Sequence, residues 1–162
     1  MSLLKLIQWL NGTIWSTALR EGDNAFPIIE SFHVVALGFS VGLIMLVDMR
    51  LIGIVLRRVR ASDLIRELEP WAIGGFAVML ISGALLFLAE PLKAYNTIAF
   101  RIKLALLVAA GVNVWLFHRG IYKQIDSWDA NGFVLWQVKL TGYLSLIIWL
   151  GVIVCGRWIA YF

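Results

Sequence analysis

The sequence predicts an all-α integral membrane protein, a four-helix up-down antiparallel bundle preceded by an amphipathic helix in the membrane interface. Of its 162 residues, 61% are hydrophobic and 15% are charged, whereas a soluble domain has about 25% charged residues. The charged residues are bunched between apolar runs that are long enough to cross a bilayer. Because the chain is too short for a second domain of this kind, residues 1–162 are expected to form a single membrane domain.

The first segment, to about residue 20, favours a helix that lies in the membrane interface. Trp9 and Trp15 suit the headgroup region, where tryptophan is enriched. The apolar stretch is interrupted at residues 11–13, and Lys5 alone would supply the basic part of a signal peptide, so a cleaved signal is not expected. Polar residues recur at helical spacing opposite the leucines, at Lys5, Gln8, Gly12 and Ser16.

Four apolar segments then predict membrane spans. The charged connection after the first span ends at Pro70, the next connection "EPLKAYN" reads as a short turn, and the last is "HRGIYKQIDSWDANG". Short connections make neighbouring helices antiparallel. Gly38 and Gly42 form a small-xxx-small pair, which predicts a face for close helix packing. The predicted spans are at about 27–56, 71–89, 98–117 and 133–156.

The basic residues predict how the bundle is oriented. Lysine and arginine are divided nearly evenly between its two sides, but Arg57, Arg58 and Arg60 cluster in the first connection. Cytoplasmic loops carry an excess of basic residues, so this connection is expected in the cytoplasm and both termini in the periplasm. The net charge of +4 is assigned to this role, and no nucleic acid partner is expected.

The polar residues inside the predicted spans form two layers. With a rise of about 1.5 Å per residue, His33 and Lys103 lie toward the outer face, and Asp48 and His118 toward the inner face. Ionisable groups inside a bilayer cost about 2.5 kcal/mol or more and usually face a partner, a cavity or a cofactor. The outer layer consists of Glu30, His33, Arg101 and Lys103, and the inner layer of Asp48, Met49, Arg50, Trp71, Asn113 and His118.

These residues also have ordinary structural explanations. Asp48 and Arg50 are placed where an interfacial charge pair would lie, and His118 where an interfacial histidine would lie. Arg101 and Lys103 are long enough to reach the headgroups. His33 is harder to explain in this way, because it lies a full turn or more inside its helix.

A neutral imidazole inside a membrane bundle is a good ligand for haem iron or copper. His33 and His118 would lie about 25 Å apart along the membrane normal, so one haem held by both in a single chain is not expected. The alternatives are two sites, a different second ligand such as Met49, or a site completed by an oligomer. The single Cys155 belongs to no metal-binding motif. The sequence has no nucleophile–base set, phosphate loop or HExxH motif, and leaves open whether the protein is an enzyme.

Three segments carry a resemblance to known families. They are "FHVVALGFSVGLIMLVDMRLIG", "EPWAIGGFAVMLISGALLF" and "FRIKLALLVAAGVNVWLFH", and they resemble a family of small bacterial inner-membrane proteins of unknown function. More distantly, the first histidine and the "KLALL" segment ending in histidine are similar to the haem-containing membrane protoporphyrinogen oxidase and the copper-resistance D family. That resemblance implies His33 as a haem or copper ligand and Lys103 as a supporting cation. The ligand-rich exposed loops of the copper family are absent.

The leading hypothesis is a membrane-embedded b-type haem protein that transfers electrons to a quinone or a partner redox protein. The alternatives are a non-catalytic accessory or assembly subunit of a membrane complex, and a carrier of copper or a small substrate. The expected location is the bacterial inner membrane, in contact with lipid and in a homo- or hetero-oligomer. His33 and His118 are the candidate metal ligands. The candidate cofactor-binding residues are Lys103, Arg101, Arg50, Asn113, Trp71 and Asp48.

Overall fold

In a computed structural model, the structure describes residues 3–22, 24–125, 136–159 and 161. This part of the chain is almost entirely helical and contains no strand, which confirms the all-α fold class. Four helices are long and apolar enough to cross a membrane, so the chain is a multi-pass membrane protein. The helices are α1 (Leu3–Asn11), α2 (Ile14–Glu21), α3 (Ala25–Ile52), α4 (Ala61–Ala89), α5 (Pro91–Asn96), α6 (Ile98–Leu116) and α7 (Trp136–Ile159).

The N-terminal segment forms two short helices, where the sequence predicts one. Thr13 causes the division, because its hydroxyl donates to the Leu10 carbonyl at 2.7 Å and accepts from the Ser16 N–H at 3.3 Å. It thereby ends α1 and caps the first turn of α2. Trp9 and Trp15 are both exposed, as residues that contact headgroups would be.

The connection between the first two spanning helices is shorter than predicted. Gly53 ends α3 with φ +89°, a left-handed conformation that glycine adopts without strain. The next helix, α4, begins at Ala61 and continues through Pro70, which the sequence analysis placed at the end of the connection. Proline is tolerated here inside a helix because Ala61 and Ile65 of the added turns are buried against their neighbours. The predicted turn "EPLKAYN" likewise contains the short helix α5, with Pro91 at its start.

The four spanning helices lie in the order α4, α3, α7, α6. Helix α3 packs against α4 and α7, and α7 packs against α6, whereas α4 and α6 do not pack closely together. The α3–α4 crossing is close because Gly75 faces Ser40, whose hydroxyl donates to the Ala72 carbonyl at 2.9 Å. The packing face predicted at Gly38 and Gly42 is not used inside the bundle, since no described atom of another helix lies within 4 Å of a Cβ built on either. The separation of α4 from α6 leaves space inside the bundle.

Candidate functional site

A cavity of about 300 Å³ lies between α3, α4, α6 and α7. It occupies the half of the bundle nearer the 53–60 connection, which we call the loop end. Most of its wall is apolar, and its volume is at the lower end of the range for small-molecule sites. The polar side chains on its wall are Asp48, Glu69, Asn113, His118, Thr141 and Ser145.

The cavity opens sideways between α4 and α6. Ile73 on α4 and Val114 on α6 belong to its wall, yet they are 61% and 44% exposed on the outside of the bundle. Away from the loop end, Phe87 and Phe100 close the gap between the helices by stacking with their ring centres 5.4 Å apart. Because both helices are long and apolar enough to span a membrane, an opening between them would face the lipid.

The gap is bridged at the loop end by a hydrogen bond between Glu69 Oε1 and His118 Nε2, 2.8 Å long. We call this pair the latch. The other ring nitrogen, Nδ1, is 2.9 Å from the Val114 carbonyl oxygen. Both nitrogens of His118 therefore face oxygen acceptors. Which nitrogen donates to its oxygen depends on the tautomer of the imidazole.

The backbone at His118 departs from the α-helix. Residues Phe117–Ile121 form a π-helical turn directly after α6, a distortion that frequently marks functional sites. The imidazole is flanked by the rings of Phe117 and Tyr122, with centre-to-centre distances of 5.5 and 5.1 Å. These contacts fix the ring at the edge of the cavity.

The wall formed by α3 and α7 holds a buried carboxyl group. Asp48 is 5% exposed, and its carboxyl group accepts a hydrogen bond from the Ser145 hydroxyl. Its second oxygen, Oδ2, has no hydrogen-bond partner in the described part of the chain, and the same is true of Nε1 of Trp149. Gly142 allows this wall to form, because a Cβ there would lie 3.0 Å from the Asp48 carbonyl oxygen.

Asn113 ties the opposite wall to α7. The side chain is buried, and its Nδ2 donates to the Thr141 carbonyl at 3.3 Å. Asn113 and Thr141 both line the cavity. The structure thus brings together three residues of the predicted inner layer, Asp48, Asn113 and His118.

A second polar cluster surrounds His33, away from the loop end. His33 Nδ1 lies 3.0 Å from the Ser82 hydroxyl, which donates to the Val78 carbonyl at 2.7 Å. Gly83 makes room for the imidazole, since a Cβ there would be 3.1 Å from Cε1. Lys103 lies within electrostatic range of His33. His33 and Lys103 were predicted to share a layer, and this electrostatic interaction agrees with that prediction.

The two histidines lie in separate clusters. Their partners on α4, Glu69 and Ser82, are thirteen residues apart, about 20 Å along the helix. Across the residues that the structure describes, no three His, Cys, Asp or Glu side chains are grouped as a metal site requires. A haem or metal held jointly by His33 and His118 therefore does not fit this arrangement.

The remaining predicted site residues lie outside both clusters. Trp71 is 64% exposed on the surface of α4, and Glu30 is also exposed. Arg50 is buried, but its Nε donates to the Val59 carbonyl at 2.6 Å and so holds the first connection. Arg101 donates to the Tyr95 carbonyl and stacks on the Tyr95 ring. Met49 is absent from the cavity wall.

Sequence reasoning missed Glu69, Ser82, Ser145 and Trp149. Glu69 was assigned to the connection before Pro70, although it shares helical spacing with Ala72 and Ile73 of the same wall. The two serines carry no charge and do not stand out from apolar runs. The helical spacing of Glu69 was the one signal in the sequence from which its position could have been found.

Comparison with known proteins identifies a family. A model described as a family of unknown function (DUF6644) matches residues 21–162, and the chain belongs to that family. The match covers the spanning helices and leaves out α1 and most of α2. No curated protein and no solved structure matches the chain.

Proposed function

We propose that this member of the DUF6644 family binds a quinone-class molecule that enters from the bilayer, and that it serves electron transfer between that molecule and a redox partner. The observation that carries the proposal is the apolar cavity of about 300 Å³ that opens to lipid between α4 and α6. A ligand that uses this opening must dissolve in the bilayer. Quinones meet this requirement and add a polar ring to an apolar molecule.

The polar groups of the cavity match such a ring. Asp48 supplies an acceptor and Trp149 supplies a donor, and neither atom has a partner in the described chain. Quinone chemistry exchanges protons as well as electrons, and the latch of Glu69 and His118 holds an exchangeable proton beside the cavity. These features favour a ligand with oxygen atoms on a flat apolar ring.

The proposed orientation places the cavity in the cytoplasmic half of the bacterial inner membrane. Support comes from Arg57 and Arg58, which are exposed at the loop end beside Arg60. Both termini would then lie in the periplasm. A proton released at the latch would leave toward the cytoplasm.

The haem expected from the sequence fits the His33 cluster better than the cavity. The cavity wall contains Asp48 and Glu69 and, as far as the structure describes it, no lysine or arginine, so the negative propionates of a haem would find no cation. At His33, the contact with Ser82 orients the ring, and Lys103 provides a positive charge. We therefore propose His33 as the ligand of a haem b, which would supply one-electron chemistry, and Lys103 as the partner of a propionate.

Visible spectra of the detergent-purified protein test this second candidate. Oxidised and dithionite-reduced wild type should show haem bands that His33→Ala removes and His118→Ala keeps. A featureless wild-type spectrum would rule out the haem proposal. Copper analysis of the same samples would then test the carrier hypothesis, and intact partner assembly by His33→Ala would favour the accessory-subunit hypothesis.

Filling the cavity tests the main proposal. Ala72 lines the cavity, so Ala72→Phe should abolish binding of decylubiquinone to the purified protein in detergent, as measured by equilibrium dialysis. Ala77 lies on the exposed surface of the same helix, so Ala77→Phe is the matched control and should bind as wild type does. Wild-type protein that does not bind decylubiquinone, or equal binding by Ala72→Phe and wild type, would overturn the proposal.

A further inference from the structure

Two residues of the cavity wall each have a buried polar atom, one an unpaired hydrogen-bond donor and the other an unpaired acceptor. Asp48 Oδ2 and Trp149 Nε1 are both buried, and in the part of the chain that the structure describes neither has a hydrogen-bond partner. Buried polar atoms in native proteins are nearly always paired, so an unpaired donor and acceptor in one cavity call for an explanation. A ligand that both donates and accepts would satisfy the two atoms together.

The two atoms belong to neighbouring turns of the same wall. Ser145, which holds the Asp48 carboxyl group, precedes Trp149 by four residues on α7, about 6 Å along the helix. Gly142 brings the backbone of α7 close to that of α3 at Asp48. The ring of Phe76 packs edge-on against the indole, with centres 6.0 Å apart, and so restricts its rotation. Asp48 and Trp149 are thus held at neighbouring turns of one wall by packed elements.

We propose that the cavity selects the reduced, hydroxyl-bearing form of its ligand, a quinol, over the corresponding quinone. A quinol hydroxyl donates to the Asp48 carboxylate and accepts from the Trp149 indole, so one group pairs both atoms. A quinone carbonyl has no proton to donate. It pairs Trp149 and leaves the buried carboxylate oxygen unpaired, which is costly. This inference rests on the proposed function, since it specifies which form of the quinone-class ligand the cavity prefers.

Selective binding changes the redox balance of the bound ligand. The couple is quinone plus two electrons and two protons in equilibrium with quinol. A site that binds the quinol more tightly raises the midpoint potential of the bound couple, by about 30 mV for each tenfold preference because two electrons are transferred. The bound quinone is therefore a stronger oxidant than quinone free in the bilayer, and it accepts electrons more readily from the redox partner.

Binding of decylubiquinol and decylubiquinone to the full-length purified protein tests the inference. Affinities are measured without oxygen at pH 8, with a reductant present for the quinol, and wild type should bind the quinol at least tenfold more tightly. The dimethyl ether of the quinol has the same ring but no hydroxyl protons, so it should bind no better than the quinone. This ligand comparison needs no variant and therefore does not depend on whether a substituted chain folds.

Two variants separate the roles of the two atoms. Asp48→Asn offers an N–H to a quinone carbonyl, so the quinol preference should fall to about onefold or reverse. Trp149→Phe removes a donor that both the quinol and the quinone use, so both affinities should fall and the ratio of the two affinities should stay unchanged. Asp63→Asn, at an exposed position on α4, is the control and should keep the wild-type ratio.

The outcomes distinguish this inference from the function on which it rests. Equal binding of the two forms by wild type, or an unchanged ratio in folded Asp48→Asn, would overturn quinol selectivity and leave quinone binding intact. Binding of neither form would overturn both. Preference for the quinol ether over the quinone would show that shape, and not the hydroxyl proton, determines selection.

Discussion

The latch should act as a weak closure of the cavity mouth, and removing Glu69 tests this. Glu69 on α4 and His118 in the π-helical turn after α6 are joined across 2.8 Å, but their side chains are 35% and 36% exposed. Partly exposed pairs of this kind contribute about 0.2–1 kcal/mol. In a double-mutant cycle with Glu69→Ala and His118→Ala, we therefore expect a coupling free energy of unfolding below about 1 kcal/mol.

The same estimate predicts the effect on ligand exchange. If the latch must open for a ligand to enter, its loss lowers the barrier by about 0.2–1 kcal/mol, which corresponds to about 1.4- to fivefold faster entry. Stopped-flow quenching of tryptophan fluorescence by decylubiquinone measures the rate. The control is Glu67→Ala, which removes an exposed carboxylate from the same helix. If Glu69→Ala admits the ligand at the rate of Glu67→Ala, the latch does not close the cavity. A coupling free energy above about 2 kcal/mol between Glu69 and His118 would show that the pair acts as a buried structural pair instead.

Two further predictions concern the packing that forms the cavity wall, and both are measured by equilibrium unfolding in mixed micelles. A Cβ at Gly142 would lie 3.0 Å from a backbone oxygen, so Gly142→Ala should destabilise the protein by about 1–3 kcal/mol. At Gly38, no described atom lies within 4 Å of the added carbon, so Gly38→Ala should leave stability unchanged or raise it by up to about 1 kcal/mol. Equal effects of Gly142→Ala and Gly38→Ala would contradict the packing argument. Ser40→Ala removes a partly buried hydrogen bond between α3 and α4 and should cost about 0.6 kcal/mol, the average for such bonds in membrane proteins. A loss above about 2 kcal/mol would show that the serine also sets the helix spacing.

The sequence predicted the parts of the fold that depend on hydropathy. Long apolar segments appear as spanning helices, and α6 begins at Ile98 as expected. Helix boundaries that depend on tertiary contacts differed from the predicted ones. Helix α4 continues through Pro70 because its first turns pack against the rest of the bundle, and no local pattern reveals that packing. The start of the fourth predicted span, residues 133–135, lies outside the described residues.

The same distinction holds for the candidate site. Helical rise placed Asp48 and His118 at one level and His33 and Lys103 at another, because depth depends only on position along a helix. Rise does not reveal which residue faces which neighbour. Trp71 has the right depth for the inner layer, yet it faces outward from α4. The cavity could therefore not be identified from the predicted layers alone, because that also requires knowing which helices are neighbours.

The helix order also determines how the ligand must arrive. Because α7 packs against both α3 and α6, it separates α6 from α3 and leaves the α4–α6 side of the bundle open. That side faces the hydrocarbon core, where water-soluble molecules are scarce. A ligand therefore partitions into the bilayer first, and its concentration there, rather than in water, determines how fully the cavity is occupied. The apparent affinity, expressed against total ligand, should then fall as the lipid-to-protein ratio in nanodiscs rises, because added lipid dilutes the ligand within the bilayer. An apparent affinity that is independent of this ratio would contradict a ligand that is drawn from the bilayer.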